Sequence, residues 1–205
     1  DLAWSRGLGD VYKRQIPNIV LYDYHNSRAG QCAVDFLDGY NGYLQVDGYH
    51  GYEQTQATLV GCWAHARRKF MEAKKGTGKK GSGKADWALN HIQKLYRLET
   101  QLKDKTVEVR YITRQEKSVP LLSQLHMWLM KSAQQVLPKT KLGEAIQYCL
   151  NQWKKLERYT LGGLLSIDNN RAERGIKPFV IGRKNWLFSQ TATGANASAV
   201  LYSII

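Results

Sequence analysis

Two acidic residues lie in sequence that could hold a carboxylate in place for chemistry. Asp47 ends the apolar segment YLQVD and is followed by Gly48, which predicts that its side chain projects from the edge of a sheet. Glu173 lies in DNNRAER, on an expected helix with cationic neighbours. Carboxylate oxygens suit Mg²⁺, and two such ions about 3.5–4 Å apart can promote an in-line displacement at phosphorus.

Each acid also has an ordinary explanation. An Asp-Gly pair is typical of a turn, and a glutamate among basic residues forms salt bridges. Their order along the chain is more informative, because a strand acid, a helix, a long helical segment and a helix acid follow one another in a basic chain. This layout is that of RNase H-like phosphoryl transferases. It favours Asp47 and Glu173 as catalytic metal ligands.

The charge of the chain restricts the class of partner. Its 205 residues include 30 Lys and Arg against 17 Asp and Glu, a formal net charge of +13, which favours nucleic acid or an anionic membrane surface. The sequence contains no long amphipathic helix with a dedicated basic face and no apolar run of about 20 residues. We therefore expect a nucleic acid, and no membrane, as the partner.

Two basic clusters are candidates for contact with DNA phosphates, although a solvated basic face is the alternative for both. Trp186 could stack on a flipped base, but a place in the core explains it better. The candidate phosphate contacts are Arg67, Arg68 and Lys69 in the first cluster, and Arg171, Arg174, Lys177, Arg183 and Lys184 in the second.

Other residues could support the two acids. Cys62 and His65 have the spacing C-x-x-H, which is weak as a zinc pair because no second pair follows. They could instead support the acid Asp47, or simply pack and make a polar contact. Asn169 and Asn170 precede Glu173 by a turn or less, and could orient its carboxylate, touch DNA or merely begin the helix. Three widely spaced cysteines favour a reducing compartment over a disulfide framework.

The hydrophobic pattern predicts the elements that position these residues. Leucine and aromatic stripes between Trp87 and Tyr159 predict three or so amphipathic helices, and the stripes themselves form a core. Pro178 should kink or end the helix that carries Glu173. The other expected elements are strands at 18–24, 43–47 and 58–62, and helices at 27–39 (capped by Ser27), at 63–75, from Ser166 or Asp168 through Arg174, and from 194 onward.

The same pattern divides the chain. We expect a non-native leader at 1–15, because WSRGLGDVYKRQ resembles translated sequencing-adaptor sequence. The remaining parts are a first core segment at 16–75, a basic Gly-rich linker at 76–84, a helical insertion at 85–160 and a last core segment at 161–205.

Four long motifs resemble one known family. The segments YLQVDGYHGY, GCWAHARRKF, DNNRAERGIKPFVIGRKNWLFS and GANASAVLYS are similar to the insertion sequence 66 family of bacterial transposases, from about Ile16 to the end. The resemblance implies a DDE-type enzyme of the α/β class, with an RNase H-like core, an all-helical insertion before the last acid, and two Mg²⁺ or Mn²⁺ ions. By this resemblance, Asp47 matches the second acid of the triad and Glu173 matches the third.

One part of that pattern is not found in the sequence. The family's first acid lies in an Asp-Glu-Thr motif, and no such tripeptide occurs; Asp23 is a weak substitute in the position of the third strand. We expect the first two strands of the core and the first acid to be missing, and this chain alone to be inactive in strand transfer. The alternative is a catalytically dead, nucleic-acid-binding remnant. The resemblance also implies DNA as the partner and a bacterial cytoplasmic, nucleoid-associated protein. It further implies a homo-oligomeric active complex, with accessory proteins of the same element as further partners.

Overall fold

Helices make up most of the part of the chain that the structure describes, together with two short two-stranded sheets. The computed structural model describes residues 2–5, 20–25, 27, 29–75, 83–185 and 191–204, and for 2–5, 20, 179, 182–185 and 204 it describes the backbone alone. The described strands are β1 (Leu2–Ser5), β2 (Val20–Asp23), β3 (Tyr43–Gln45) and β4 (Thr58–Val60). The described α-helices are α1 (Gly30–Phe36), α2 (Trp63–Lys75), α3 (Gly83–Gln101), α4 (Val107–Thr113), α5 (Val119–Ala133), α6 (Lys141–Asn151), α7 (Trp153–Glu157), α8 (Asn170–Asn185) and α9 (Ala192–Ile204). Short 3₁₀ helices span His50–Gln54 and Arg158–Leu161, and a π-helical turn, Arg114–Ser118, lies between α4 and α5.

The chain divides into two compact units. The first comprises Asp1–Tyr40, His50–Gln56 and Asn169–Ile205, and the second comprises Asn41–Tyr49 and Ala57–Asp168. A mixture of helices with a small parallel sheet is consistent with the expected α/β class. The finer expectations, an incomplete RNase H-like core and the division into core, linker and insertion, stay predictions. Residues 76–82 of the expected linker lie outside the described residues, and α3 already begins at Gly83.

The sheet of the second unit is parallel. Strands β3 and β4 pair in the register Tyr43 to Thr58, and the Val46 N–H donates to the Val60 carbonyl at 2.8 Å just beyond the last pair. Both strands are two residues shorter than the sequence predicts. Because the strands are parallel, their carboxyl ends lie at the same edge of the sheet. The chain reaches Asp47 as it leaves β3 at that edge, and it leads into α2 as it leaves β4.

A single hydrophobic core holds α2 against the sheet and the later helices. Trp63 and Phe70 of α2 are fully buried with side chains of α3, α5 and α6. The indole Nε1 of Trp63 donates to the Leu156 carbonyl at 2.9 Å, and its ring meets that of Trp153 edge-on with centroids 6.0 Å apart. The stripes are therefore core, as predicted. The segment divides into more helices than expected, because Thr106 caps an additional helix, α4, and because α6 and α7 are separate helices. The Thr106 hydroxyl accepts from the Val109 N–H, and the Thr140 hydroxyl caps α6 by accepting from the Gly143 N–H.

The first unit differs from expectation in its local detail. Helix α1 begins at Gly30 rather than near Ser27, and Ala29 occupies the cap position without a side-chain bond. Ser27 was therefore wrong as the cap: its hydroxyl instead accepts from the Ala29 N–H at 3.0 Å, in the turn before the helix. The last helix begins at Ala192 rather than at 194. Strand β1, within the leader set aside as non-native, pairs antiparallel with β2.

Helix α8 continues past Pro178 to Asn185, so the proline does not end it. Proline lacks the N–H that would bond the carbonyl four residues earlier, which is that of Arg174. At the next residue, the hydroxyl of Tyr22 donates to the Gly175 carbonyl at 2.8 Å. Strand β2 also bonds α9, since the Ser203 hydroxyl accepts from the Tyr22 N–H at 2.8 Å. Among the described residues, no helix combines the length and apolar character that crossing a membrane requires.

Candidate active site

Asp47 lies in a tight turn directly after β3. Its carboxylate Oδ1 accepts from the Tyr49 N–H at 3.0 Å, which is the bond of an Asx turn. Gly48 between them has φ +97°, a conformation that L side chains rarely adopt. Val46 is buried, whereas Asp47 is exposed. The turn anchors one oxygen of an exposed carboxylate after β3, as the ordinary explanation of an Asp-Gly pair predicts, and the role of Asp47 as a metal ligand stays a prediction.

The amino end of α2 lies at the same edge. After β4, Gly61 accepts from the Gln45 side chain at 2.7 Å, and the Cys62 carbonyl accepts from the Ala66 N–H at 3.4 Å, so the first turn of α2 begins at Cys62. The first N–H groups of a helix carry partial positive charge, which favours anions nearby. One of these groups, on Trp63, donates to the Ile167 carbonyl at 3.1 Å.

Tyr148 of α6 packs against the Asp47 turn, and sequence reasoning missed it. Its hydroxyl donates to the Asp47 carbonyl at 3.4 Å and lies 3.1 Å from where a side-chain Cβ at Gly48 would stand. Burial raises the pKa of Tyr148 to about 12, with smaller contributions from Cys149, Cys62 and Asp47, against an opposing one from Arg68. The only sequence signal for Tyr148 was its place beside the buried stripe of α6.

The first basic cluster lies on α2, beside this tyrosine. Arg67, Arg68 and Lys69 are exposed, as contact with a phosphate backbone would require. The Lys69 ammonium lies 5.9 Å from the centre of the Tyr148 ring, in a cation–π arrangement. The second unit thus brings together Asp47, the hydroxyl of Tyr148 and two cations of α2. These cations are Lys69, beside the Tyr148 ring, and Arg68, whose charge acts on the pKa of Tyr148.

Cys62 and His65 stand at the start of α2. Cys62 is buried, and His65 is half-buried in the first helical turn. All three cysteines of the chain are free, which agrees with the expected absence of a disulfide framework. A supporting role of Cys62 and His65 toward Asp47 stays a prediction, as does the alternative of ordinary packing.

A half-buried hydrogen bond joins α3 to the end of this unit. The Tyr96 hydroxyl of α3 donates to Asp168 Oδ2 at 2.9 Å. Burial, followed by the charge of Asp168, raises the pKa of Tyr96 far above its ordinary value. Asp168 is the last residue of the second unit, and the sequence had offered it only as a helix cap. Its carboxylate instead accepts from a tyrosine 72 residues away.

Glu173 lies in the first turn of α8, in the first unit. The Asn169 carbonyl accepts from the Glu173 N–H at 3.1 Å, so Asn169 precedes the helix and Asn170 is its first residue. An acid in the first turn is stabilised by the helix dipole. Glu173 is half-buried. The exposed cations on the same helix are Arg171, Arg174 and Lys177.

The remaining candidate residues of the first unit are Arg183, Lys184, Trp186 and Asp23. Arg183 and Lys184 lie on α8, but their side chains are outside the described residues, as is Trp186 altogether. Asp23, the weak substitute for the first acid, ends β2 and its Oδ2 lies 2.7 Å from His25 Nε2.

The chemistry of Asp47 fits one ligand position of a hard cation. Within the described part of the chain, its Oδ1 accepts from the Tyr49 N–H, while its Oδ2 makes no hydrogen bond or ion pair. One carboxylate is too few to hold a catalytic ion. The described residues contain no group of three or more His, Cys, Asp or Glu side chains that could hold a metal. Asp47 and Glu173 belong to different units.

Comparison with known proteins places the chain in a family. The sequence model described as "Transposase IS66 family" matches residues 10–197. Two proteins of Sinorhizobium fredii, uncharacterized protein y4hP and uncharacterized protein y4qI, are 34% and 33% identical over 92% and 98% of this chain. The chain spans 37% and 39% of their lengths. No solved structure matches it significantly. The chain belongs to the IS66 family of transposases.

Proposed function

We propose that this chain is the catalytic segment of a transposase that cuts DNA and joins a 3′-hydroxyl to target DNA, with Asp47 and Glu173 as ligands of divalent metal ions. The observation that carries the proposal is the Asp47 turn, which exposes a carboxylate beside the amino end of α2. Membership of a transposase family supports DNA as the partner. Homo-oligomers and accessory proteins of the same element belong to the proposal as well.

The residues of the second unit would divide the work as follows. Asp47 would hold its part of the metal site, because the Tyr49 N–H fixes one carboxylate oxygen and leaves the other to face the ligand. The exposed cations Arg67, Arg68 and Lys69 would bind the phosphate backbone and set its register on the protein. When bound, Mg²⁺ or Mn²⁺ would supply charge stabilisation at the reacting phosphate.

The test uses an active member of the family whose matching segment has been replaced by this chain. Strand joining by this exchanged transposase is measured on the active member's own transposon ends. Asp47→Asn and Glu173→Gln should each reduce joining to background and leave DNA binding intact. Asp104→Asn and Glu116→Gln remove exposed acids elsewhere in the chain and should join normally. Normal joining by both active-site variants would refute the proposal.

The alternative function is a nucleic-acid-binding remnant without catalysis. It is favoured by the same exposed cations, since these alone would retain DNA. The two functions differ in the exchange experiment, because a remnant predicts DNA binding and no joining with the unaltered segment.

A further inference from the structure

We infer that Tyr148 is a positioning residue for Asp47, through which the helical segment after α2 sets the geometry of the candidate metal ligand. The inference rests on the proposed function for the role of Asp47. It assigns Tyr148 no contact with metal or DNA.

The contact joins distant parts of the chain. Tyr148 lies on α6, 101 residues after Asp47, and its hydroxyl donates to the Asp47 carbonyl at 3.4 Å. The carboxylate of the same residue is fixed separately, by the Tyr49 N–H at 3.0 Å. The Asp47 peptide group is therefore held by α6 while its side chain is held by the turn.

Gly48 shows how closely the tyrosine approaches. A Cβ at this position would lie 3.1 Å from the Tyr148 hydroxyl, whereas the nearest ring carbons would be at 3.7 and 3.8 Å. Among the described residues, the hydroxyl is thus the nearest neighbour that a side chain at Gly48 would meet. Gly48 is needed for two reasons: its backbone has a φ of +97°, and the Tyr148 hydroxyl occupies space that a side chain would need.

Tyr148 is itself restrained. Its ring is half-buried, Cys149 beside it is fully buried in the core, and the Lys69 ammonium lies 5.9 Å from the ring centre. A hydroxyl carried by such a ring can fix the backbone it touches. A change in α6 would therefore reach the Asp47 backbone through this hydrogen bond, and the carboxylate through the turn that Asp47 forms with Tyr49.

The experiment uses the ¹⁵N-labelled 205-residue chain and two readouts. The first is hydrogen exchange of the Tyr49 amide, which reports the turn. Tyr148→Phe removes the hydroxyl and keeps the ring, so Tyr49 exchange should rise about two- to tenfold, the equivalent of one hydrogen bond. The amides of Cys149 and Val60 should exchange as before. Tyr111→Phe, which removes an exposed hydroxyl from α4, is the matched control and should change nothing.

The second readout is broadening of the Gly48 and Tyr49 amide signals by Mn²⁺. Tyr148→Phe should raise the Mn²⁺ concentration at half-effect several-fold, and Asp47→Asn should abolish the broadening. Unchanged Tyr49 exchange in Tyr148→Phe overturns the inference, whatever Mn²⁺ does. Faster Tyr49 exchange without any Mn²⁺ broadening in the unaltered chain supports the contact and overturns the claim that it sets metal binding by this chain. The role of Asp47 in the whole enzyme is tested separately, by strand joining.

Discussion

The guanidinium of Arg114 binds the carboxylate of Glu99 through two parallel hydrogen bonds, from Nε to Oε1 at 2.9 Å and from Nη2 to Oε2 at 2.6 Å. Arg114 is fully buried. Its remaining N–H groups donate to the carbonyls of Tyr159, Gly162 and Leu165, and it stacks 5.2 Å from the Tyr159 ring. One side chain thus ties α3 to the loop that leads to Asp168.

Replacement of this arginine should destabilise the chain severely. Arg114→Met leaves the Glu99 carboxylate and three carbonyls without their donor, which should cost about 3–5 kcal/mol of unfolding free energy. Urea denaturation measures the loss. Lys117→Met, an exposed change in the same helical turn, is the control and should be nearly neutral. A cost below about 1 kcal/mol for Arg114→Met would show that the network contributes little.

Alanine at Gly48 should be worse than alanine at Gly39. Both glycines have positive φ, +97° and +71°, so both variants carry backbone strain of about 1–2 kcal/mol. Only the Gly48 variant also meets the Tyr148 hydroxyl, because a Cβ at Gly39 has no neighbour within 4 Å. Chemical denaturation should show Gly48→Ala losing about 1 kcal/mol more, the scale of one hydrogen bond.

The excess should disappear in a Tyr148→Phe background, where the next neighbours are ring carbons at ordinary contact distances. Equal losses for the two alanine variants in the unaltered chain would contradict the close approach of Tyr148.

The free energy of unfolding should fall as the pH drops below the ordinary pKa of histidine. Burial lowers the pKa of His91 from 6.5, a smaller opposing effect comes from the Leu121 carbonyl, and Lys94 lowers it further. Above pH 6.5 His91 is neutral in both the folded and unfolded chain. Below it, the unfolded chain binds the proton first, so the stability is lost between 6.5 and the folded-state pKa, at up to about 1.4 kcal/mol per pH unit.

The comparison of variants isolates this residue. Melting or urea curves between pH 7 and pH 5 should be flatter for His91→Gln than for the unaltered chain. His50→Gln removes an exposed histidine and should keep the original pH dependence. Parallel curves for the unaltered chain and His91→Gln would rule out a neutral, buried His91.

Removing the cations of α2 should weaken DNA binding in a salt-dependent way. Each phosphate contact contributes roughly 0.9 to the slope of log affinity against log salt, so the triple variant Arg67→Ala, Arg68→Ala, Lys69→Ala should reduce it by up to about 3. A duplex-binding titration at several salt concentrations gives the slope. The triple variant Lys103→Ala, Lys105→Ala, Lys131→Ala loses the same charge from other exposed positions. If the slope of log affinity against log salt is the same for both triple variants, DNA binding depends on net charge alone and not on the position of the α2 cations.

Local features were predictable from the sequence, and distant contacts were not. The Asp47 turn follows from an apolar run that ends in Asp-Gly, and the buried faces of α5 and α6 follow from their leucine and aromatic spacing. Tyr148 and Tyr96 reach residues 101 and 72 positions away, which no local pattern encodes. The predicted end of the helix at Pro178 was wrong, because proline removes only one bond of the helix and α8 continues past it to Asn185.

The most direct measurement concerns Asp47 as a metal ligand. In the exchanged transposase described above, Asp47→Cys should join DNA at background level with Mg²⁺ and regain part of its activity with Mn²⁺, which accepts a sulfur ligand more readily. Asp104→Cys should join normally with either metal. Equal joining by Asp47→Cys with Mg²⁺ and Mn²⁺, at the level of the unaltered segment, would contradict the account.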